Sequence, residues 1–586
     1  MLPYSTMALT LGRYFFVYWL SRCLTSAERT TPYQMTWSPE VFGPDGPWQA
    51  VQVSIGSSGH NVSLYPGGRW ESHVLSPNVC TNVTLGNVCY AQEAGLYSYR
   101  TSNTAVSQAI TFQNEVDFTS GALELNGAKP NITLDQITPG TDGVTIPNVT
   151  MSVYDSIFGT LPDGTNYPIS VGALSLGAPG TVNQTFTLSP PTPNINGSLI
   201  AGWLWQYVQT NRLTPSNSFG LHIGAVTPKV APSLYFGGFD QNRVLGAVST
   251  QSGEPTGFID LIDIGINVIA GTSPWSSTSM SGLLASGNTS IGTAVPITIN
   301  PLAPYLHLPQ SSCDAIAAHL PVTYQPRYGL YFWNTQDPQY ARIVNSASCL
   351  SFVFQRDQAN TLNLTINVPF KLLNLTLQPP LTTAPVPYFP CQAQSRGKYQ
   401  LGRSFLQAAF LGANWNANNN AAVWWLAQAP GPNISTQPRI VSIGVADSSI
   451  TASESDFADS WKGNWNTTTA TSANASSTSG SSSTSPTSSS GSSSGLSAGA
   501  KAGIGLGAAI GVIGLGIAGV LLMKRHRSST EARGEGVTEQ QFTTDKTPNW
   551  TVGNVDQTYI PPRPAPVEVN VATNEPYELA TSTPRI

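Results

Sequence analysis

Charge is what this sequence has least of. Lys, Arg, Asp and Glu make up 10% of 586 residues, against about a quarter in ordinary soluble domains. The net charge of -5 is mild, and the basic residues are scattered apart from Lys524–Arg527, so nothing resembles the basic stripe of a nucleic-acid-binding surface. Histidine and cysteine are scarce too, at six each. No His-x-x-x-His or Cys-x-x-Cys pair offers the spacing of a metal site, so neither a metal nor another cofactor is expected. No glycine loop follows a strand in the way that cradles a phosphate. The one Gly-x-Ser-x-Gly match, Gly491–Gly495, lies in a serine-rich run where composition alone produces it. Long helical patterns are also few. What is abundant is turn chemistry, with 53 Gly and 45 Pro, and that balance points to a β-rich secreted protein.

There is one long apolar run. Ala502–Met523 holds 22 residues without a charge, about 33 Å as a helix, enough for a bilayer core of about 30 Å. Lys524-Arg525-His526-Arg527 follow at once, and such a cluster stays on the cytoplasmic side. The reading is a single-pass type I membrane protein, with everything before residue 502 outside. Gly499, Gly503, Gly507 and Gly511 recur every fourth residue, and this small-residue face suits a helix homodimer. Residues 1–27 read as a cleaved signal peptide, with an apolar core Tyr14–Leu20 after Arg13 and small residues at Ser26-Ala27.

Secretion makes disulfides the default for the five cysteines beyond Cys23. Cys80 and Cys89 are near enough in sequence to close a small loop. Cys391 is expected to pair with Cys349 or Cys313, which sequence alone does not decide, leaving one thiol over. Asn-x-Ser/Thr acceptors occur before the span at Asn61, Asn82, Asn131, Asn148, Asn183, Asn196, Asn288, Asn363, Asn374, Asn433, Asn466 and Asn474, the pattern of a glycosylated ectodomain. Asn549 matches the pattern but falls on the cytoplasmic side.

From about residue 40 to 450, short runs of strand character alternate with turns. Gln49–Gly56, Gly143–Ile146, Ser233–Phe236 and Asn363–Val368 are expected strands. Leu199–Leu213 and Ser311–Leu320 are the two expected helices. A mostly-β body of this size predicts two lobes, about 40–225 and 226–445. Residues 451–501 turn rich in Ser and Thr, as in an extended, O-glycosylated stalk. The tail, 524–586, is polar and expected to be disordered. Within it, Tyr559–Pro566 has the composition of a polyproline helix, and Tyr577-Glu578-Leu579 that of a phosphorylation or sorting site. A solvated spacer is the competing reading of both.

Three segments resemble the pepsin-like aspartic proteases. Trp48–Val74, WQAVQVSIGSSGHNVSLYPGGRWESHV, is similar to the family's opening strands. Ser233–Leu245, SLYFGGFDQNRVL, is similar to the Leu-x-x-Gly-Gly-x-Asp segment that opens the second lobe. Leu401–Gln428, LGRSFLQAAFLGANWNANNNAAVWWLAQ, resembles the closing segment. The resemblance implies a bilobal acid-protease fold over about residues 40–430, with Cys80 and Cys89 placed as the family's small disulfide loop.

Such enzymes hold a water between two carboxylates, one from each lobe, each delivered in an Asp-Thr/Ser-Gly turn. By the resemblance, the aspartate positions are occupied by Tyr65 and Asn300. A phenol ionises near pH 10 and an amide not at all, so neither serves as the base. Arg403 also replaces the aspartate usual after the closing Leu-Gly pair. No Asp-Thr-Gly or Asp-Ser-Gly exists elsewhere. The one Asp-x-Gly, Asp263-Ile264-Gly265, lies in a run that reads as a strand. The expectation is therefore a catalytically degenerate ectodomain, with no catalytic residues, that binds an extracellular peptide, protein or cell-wall glycan. Tyr65, Trp70, Asn300 and Tyr305 would then line the remaining cleft. The alternatives are an endopeptidase with an unorthodox arrangement using Asp263 or another carboxylate in the cleft, and a structural or adhesive surface protein.

Overall fold

Along residues 51–55 of the Trp48–Ile55 strand the side chains of Val51, Val53 and Ile55 are buried while Gln52 and Ser54 are half-exposed, the period-two pattern of a half-buried strand. The chain turns at Ser57–Gly59 and returns antiparallel as His60–Pro66. The computed structural model describes residues 31–466, interrupted at 69–71, 82–87, 109–124, 127–129, 141–142, 179–182, 188–197, most of 203–211, and 358–361. It is mostly β, with 40% strand and 12% helix.

Two of the expected strands are present as Ser233–Phe236 and Asn363–Pro369, and the helix near residue 311 spans Gln310–Ala317. The strand expected at Gly143 begins at Ile146 and runs to Tyr154. The helix expected from Leu199 is corrected at its start: Ser198–Gly202 is a strand, paired antiparallel with Asn183–Thr187. A ladder partner decides a short apolar run whose periodicity is ambiguous. Most of the rest of that segment lies outside the described residues.

One sheet pattern occurs twice. In the first half, His60–Pro66 pairs parallel with Gly172–Leu174, which pairs antiparallel with Ser72–Leu75, which in turn pairs parallel with Ile146–Tyr154. In the second half, Val295–Ile299, Gln400–Leu401, Leu306–Leu308 and Cys391–Ala393 repeat the same parallel, antiparallel, parallel sequence. The four strands also come in the same chain order in each copy. Each first strand has an antiparallel neighbour before it, Trp48–Ile55 in one copy and Phe258–Val268 in the other. A separate six-stranded sheet joins strands from both halves, in the order 33–34, 233–236, 218–222, 409–414, 423–428 and 245–252.

Two disulfides are present, Cys80–Cys89 and Cys313–Cys391, and Cys349 is a free, buried thiol. Of the two partners left open for Cys391, the structure selects Cys313 on the Gln310–Ala317 helix. Cys349 is instead enclosed in the main core, where burial pushes its thiol pKa far up.

Order continues past residue 450. Asp456 caps the Phe457–Trp461 helix, and Trp461 stacks on Trp465 with ring centroids 5.5 Å apart and planes 5° apart. The Trp461 indole also lies on Gly431, where an added Cβ would come within 2.6 Å of its Nε1. Asn466 N donates to Asn345 O and Lys371 Nζ to Asn464 O. Replacing Trp461 with Ala is expected to lower stability by about 3–5 kcal/mol, the range for emptying a buried aromatic site, read as a shift in the denaturant midpoint. A chain ended at residue 450 loses both indoles and should fare worse.

Among the described residues no helix is long and apolar enough to cross a membrane. The expected signal (1–27), span (502–523) and tail (524–586) lie outside the described residues, as does the expected stalk from residue 467 onward.

Candidate functional site

Each copy of the repeated ladder ends in a turn, and backbone hydrogen bonds fix which residues correspond. Gly67 N donates to Leu174 O at 2.9 Å, and Asn300 N donates to Leu401 O at 3.0 Å. In this register the counterpart of Asn300 is Gly67. Tyr65, the sequence-derived position, lies two residues earlier and pairs within the ladder with Ala173. Neither of the two corresponding positions, Gly67 and Asn300, is a carboxylate; Glu71, at the end of the first turn, lies outside the described residues.

The turns meet. A Cβ built on Gly67 would lie 2.7 Å from Leu302 Cγ and Cδ2 and 3.3 Å from Pro301 Cβ, so the Leu302 side chain occupies the place a residue at 67 would use. Asn300 is held by its own turn and by the neighbouring strand, accepting from Leu302 N and donating from Nδ2 to Gln400 Oε1. No hydrogen bond joins Tyr65 to Asn300 among the described residues.

Arg403 fills the space beside them. It opens the four-residue helix Arg403–Leu406, directly after Gly402, where a side chain would strike Ala303 O at 2.2 Å. Its guanidinium lies 4.2 Å from the Tyr65 ring centroid and 5.1 Å from that of Trp48. Its Nη1 donates to Leu302 O at 2.8 Å, and its Nη2 stands 3.5 Å from Asp45 Oδ2. The other Asp45 oxygen accepts from Trp48 Nε1, and Asp45 O accepts from the Tyr388 hydroxyl. The pair is therefore buried, compensated and stacked between aromatic faces. Burial drives the Tyr65 hydroxyl far above the ordinary phenol range, the Arg403 charge opposing and the Asp45 charge adding.

Around this pair a hydrophobic cluster draws on both halves of the chain. Phe42, Trp48, Tyr65, Tyr167 and Val171 come from the first, and Leu302, Tyr305, Leu330 and Tyr388 from the second. Tyr305 is 3% exposed, edge-on to Tyr388 at 6.0 Å and to His307 at 5.7 Å. It is a packing residue here rather than the wall of an open cleft. What remains open beside Tyr65, Asp45, Tyr167, Leu302 and Arg403 is a cavity of about 50 Å³. Trp70 lies outside the described residues.

Asp263 is elsewhere, on the Phe258–Val268 strand, where its carboxylate accepts from Gly282 N and Ile264 N. It caps a turn. Among the described residues no cluster of His, Cys, Asp and Glu could hold a metal ion.

Sequence reasoning marked Arg403 as a departure but missed its partner Asp45, for which Trp48 three residues on was the available signal. It also missed a pair of histidines. His73 and His307 occupy the same slot in the two copies, opposite Ala173 and Gln400. Both are buried, and burial depresses each ring to a pKa of about 3.

Of the glycosylation acceptors with described surroundings, Asn61, Asn148, Asn363, Asn433 and Asn466 are exposed, and Asn131, Asn288 and Asn374 are half-buried. No protein-family model matches the chain, and no curated protein matches its sequence.

Proposed function

We propose that this is a cell-surface glycoprotein with a pepsin-like, bilobal ectodomain that binds an extracellular ligand without cutting it. One observation carries the reading: at the two corresponding turns the chain presents Gly67 and Asn300, and the volume between them is taken by Leu302 and the Arg403–Asp45 pair. A hydrolytic dyad needs two acids around a water. Asp45, the carboxylate packed beside these turns, is already engaged by a guanidinium and an indole. The repeated ladder, the bridging six-stranded sheet and the two disulfides support the bilobal fold. The apolar run at 502–523 and the basic residues after it support a type I anchor in a lipid bilayer.

Purified full-length protein is expected to release no fragments from casein between pH 3 and pH 7. Turnover at acid pH, blocked by a transition-state mimic, would overturn the reading. The double variant Gly67→Asp with Asn300→Asp should stay inactive, because an aspartate at 67 meets the Leu302 side chain. Gly67→Ala alone is expected to cost about 1–3 kcal/mol by overpacking, seen as a lower denaturant midpoint.

The structural or adhesive reading gains one observation, the aromatic cluster that ties both halves into a closed centre. Absence of any bound peptide or glycan on the purified protein would favour it. Asp263 is committed to backbone amides, which leaves the endopeptidase alternative to another carboxylate in the cleft.

A further inference from the structure

Away from the filled centre, a polar groove of about 320 Å³ lies between the turn of the 158–168 hairpin and the second half of the chain. On one side are Thr160, Leu161, Pro162 and Gly164; on the other are Tyr324, Gly329, Gln392, Ala393, Gln394 and Lys398. Asp163 and Arg327 form an ion pair at 3.3 Å that ties the two sides together.

Three consecutive residues, Gln392, Ala393 and Gln394, line this groove. Gln392 and Ala393 are consecutive strand residues whose side chains point to opposite faces, and Gln394 follows the strand's end, so the groove runs along the strand's edge. The Cys391–Ala393 strand is the terminal strand of its sheet among the described residues. Its ladder uses one side alone, with Leu306 N donating to Pro390 O and Gln394 N donating to Leu308 O. Pro390 and Gln394 thus face the neighbouring strand, and the main-chain groups of Ala393 face the groove. Tyr324, 40% exposed, lines the groove on the same side. Lys398 is exposed at the groove and makes no ion pair among the described residues.

We propose that this groove takes an extended peptide, which pairs as a strand beside Ala393, along the lined edge at residues 392–394, and directs an acidic side chain or its C-terminal carboxylate to Lys398. The idea rests on the non-catalytic binding reading above and gives it a place and a ligand class. Strand addition supplies affinity through main-chain hydrogen bonds and selectivity through flanking side chains. About three residues, roughly 10 Å at 3.3 Å each, match the lined edge. Asp163 is already neutralised by Arg327, so Lys398 gives the groove its uncompensated charge.

The test is fluorescence anisotropy with full-length protein and labelled decapeptides, in an acidic series and a matched basic series. The acidic series should bind. Lys398→Glu should weaken it by about tenfold and shift preference to the basic series, the effect of setting like charges together. Tyr324→Ala should weaken both by several-fold. Both substitutions sit on exposed side chains, so folding is not at stake. Proline at the peptide residue opposite Ala393 should abolish binding, because it removes the ladder donor. Binding that ignores both variants and the proline would overturn the groove while leaving ligand binding in general intact. Binding of a β-glucan hexasaccharide lost in Tyr324→Ala, with no peptide bound, would also overturn it. Cleavage of the decapeptides, seen by mass spectrometry, would sink the non-catalytic reading beneath it.

Discussion

Arg403→Ala is expected to lower the stability of the body by about 3–5 kcal/mol, the penalty for removing one partner of a buried ion pair. The loss has three parts. Asp45 keeps its charge with only an indole donor facing it; the Tyr65 and Trp48 faces lose the cation between them; and Leu302 O loses its donor. The paired change Arg403→Met with Asp45→Leu should recover most of that loss, since replacing a buried pair by apolar groups is often neutral or better. Denaturant titrations of the three proteins decide it. If Arg403→Ala unfolds at the midpoint of the parent protein, the pair is ornamental and the centre is held by apolar packing alone.

Acidification is expected to destabilise the body steeply. His73, His222 and His307 are buried, and burial lowers each pKa from 6.5 to about 3, with Arg243 adding to the effect on His222. In the folded body the rings stay neutral until about pH 3, whereas in the unfolded chain they take up protons below about 6.5. Between those values the unfolded state binds more protons, so stability rises with pH. The contribution is complete above pH 6.5 and is lost as pH falls toward 3. Each ring adds a slope of up to about 1.4 kcal/mol per pH unit in that window. Unfolding midpoints at pH 7, 5 and 4 should therefore fall in order, and His307→Leu should flatten the trend. A flat profile for the parent protein would show that the rings are solvated. An acid-stable hydrolase would be poorly served by such residues, so this result bears on function as well as on folding.

Much of the class was legible in the residues. The runs expected as strands at 49–56, 233–236 and 363–368 lie in the strands Trp48–Ile55, Ser233–Phe236 and Asn363–Pro369. What stayed hidden depended on contacts far apart in sequence. Nothing in Arg403 announces that it will lie on Tyr65, and nothing in Asp45 announces Arg403. The repeated ladder was invisible because its corresponding segments, Ala173-Leu174 and Gln400-Leu401, share little besides a leucine. For the same reason the turn position was assigned to Tyr65, when hydrogen bonding matches Gly67 to Asn300. The end of the folded body was set too early because the Ser/Thr bias outweighed two tryptophans, Trp461 and Trp465, whose burial decides the matter. Leu199 onward misled by its apolar run, which a ladder partner claimed.

The stacked indoles have one more consequence. The body is tied down as far as Asn466, whose N donates to Asn345 O. If Ala502 enters a bilayer as proposed, the tether is the 35 residues between them, whose fully drawn length cannot exceed about 125 Å. That figure sets the outer radius within which the molecule can reach a neighbour on its own surface or across a narrow gap. Lengthening or trimming the tether should change that radius without touching the head it carries.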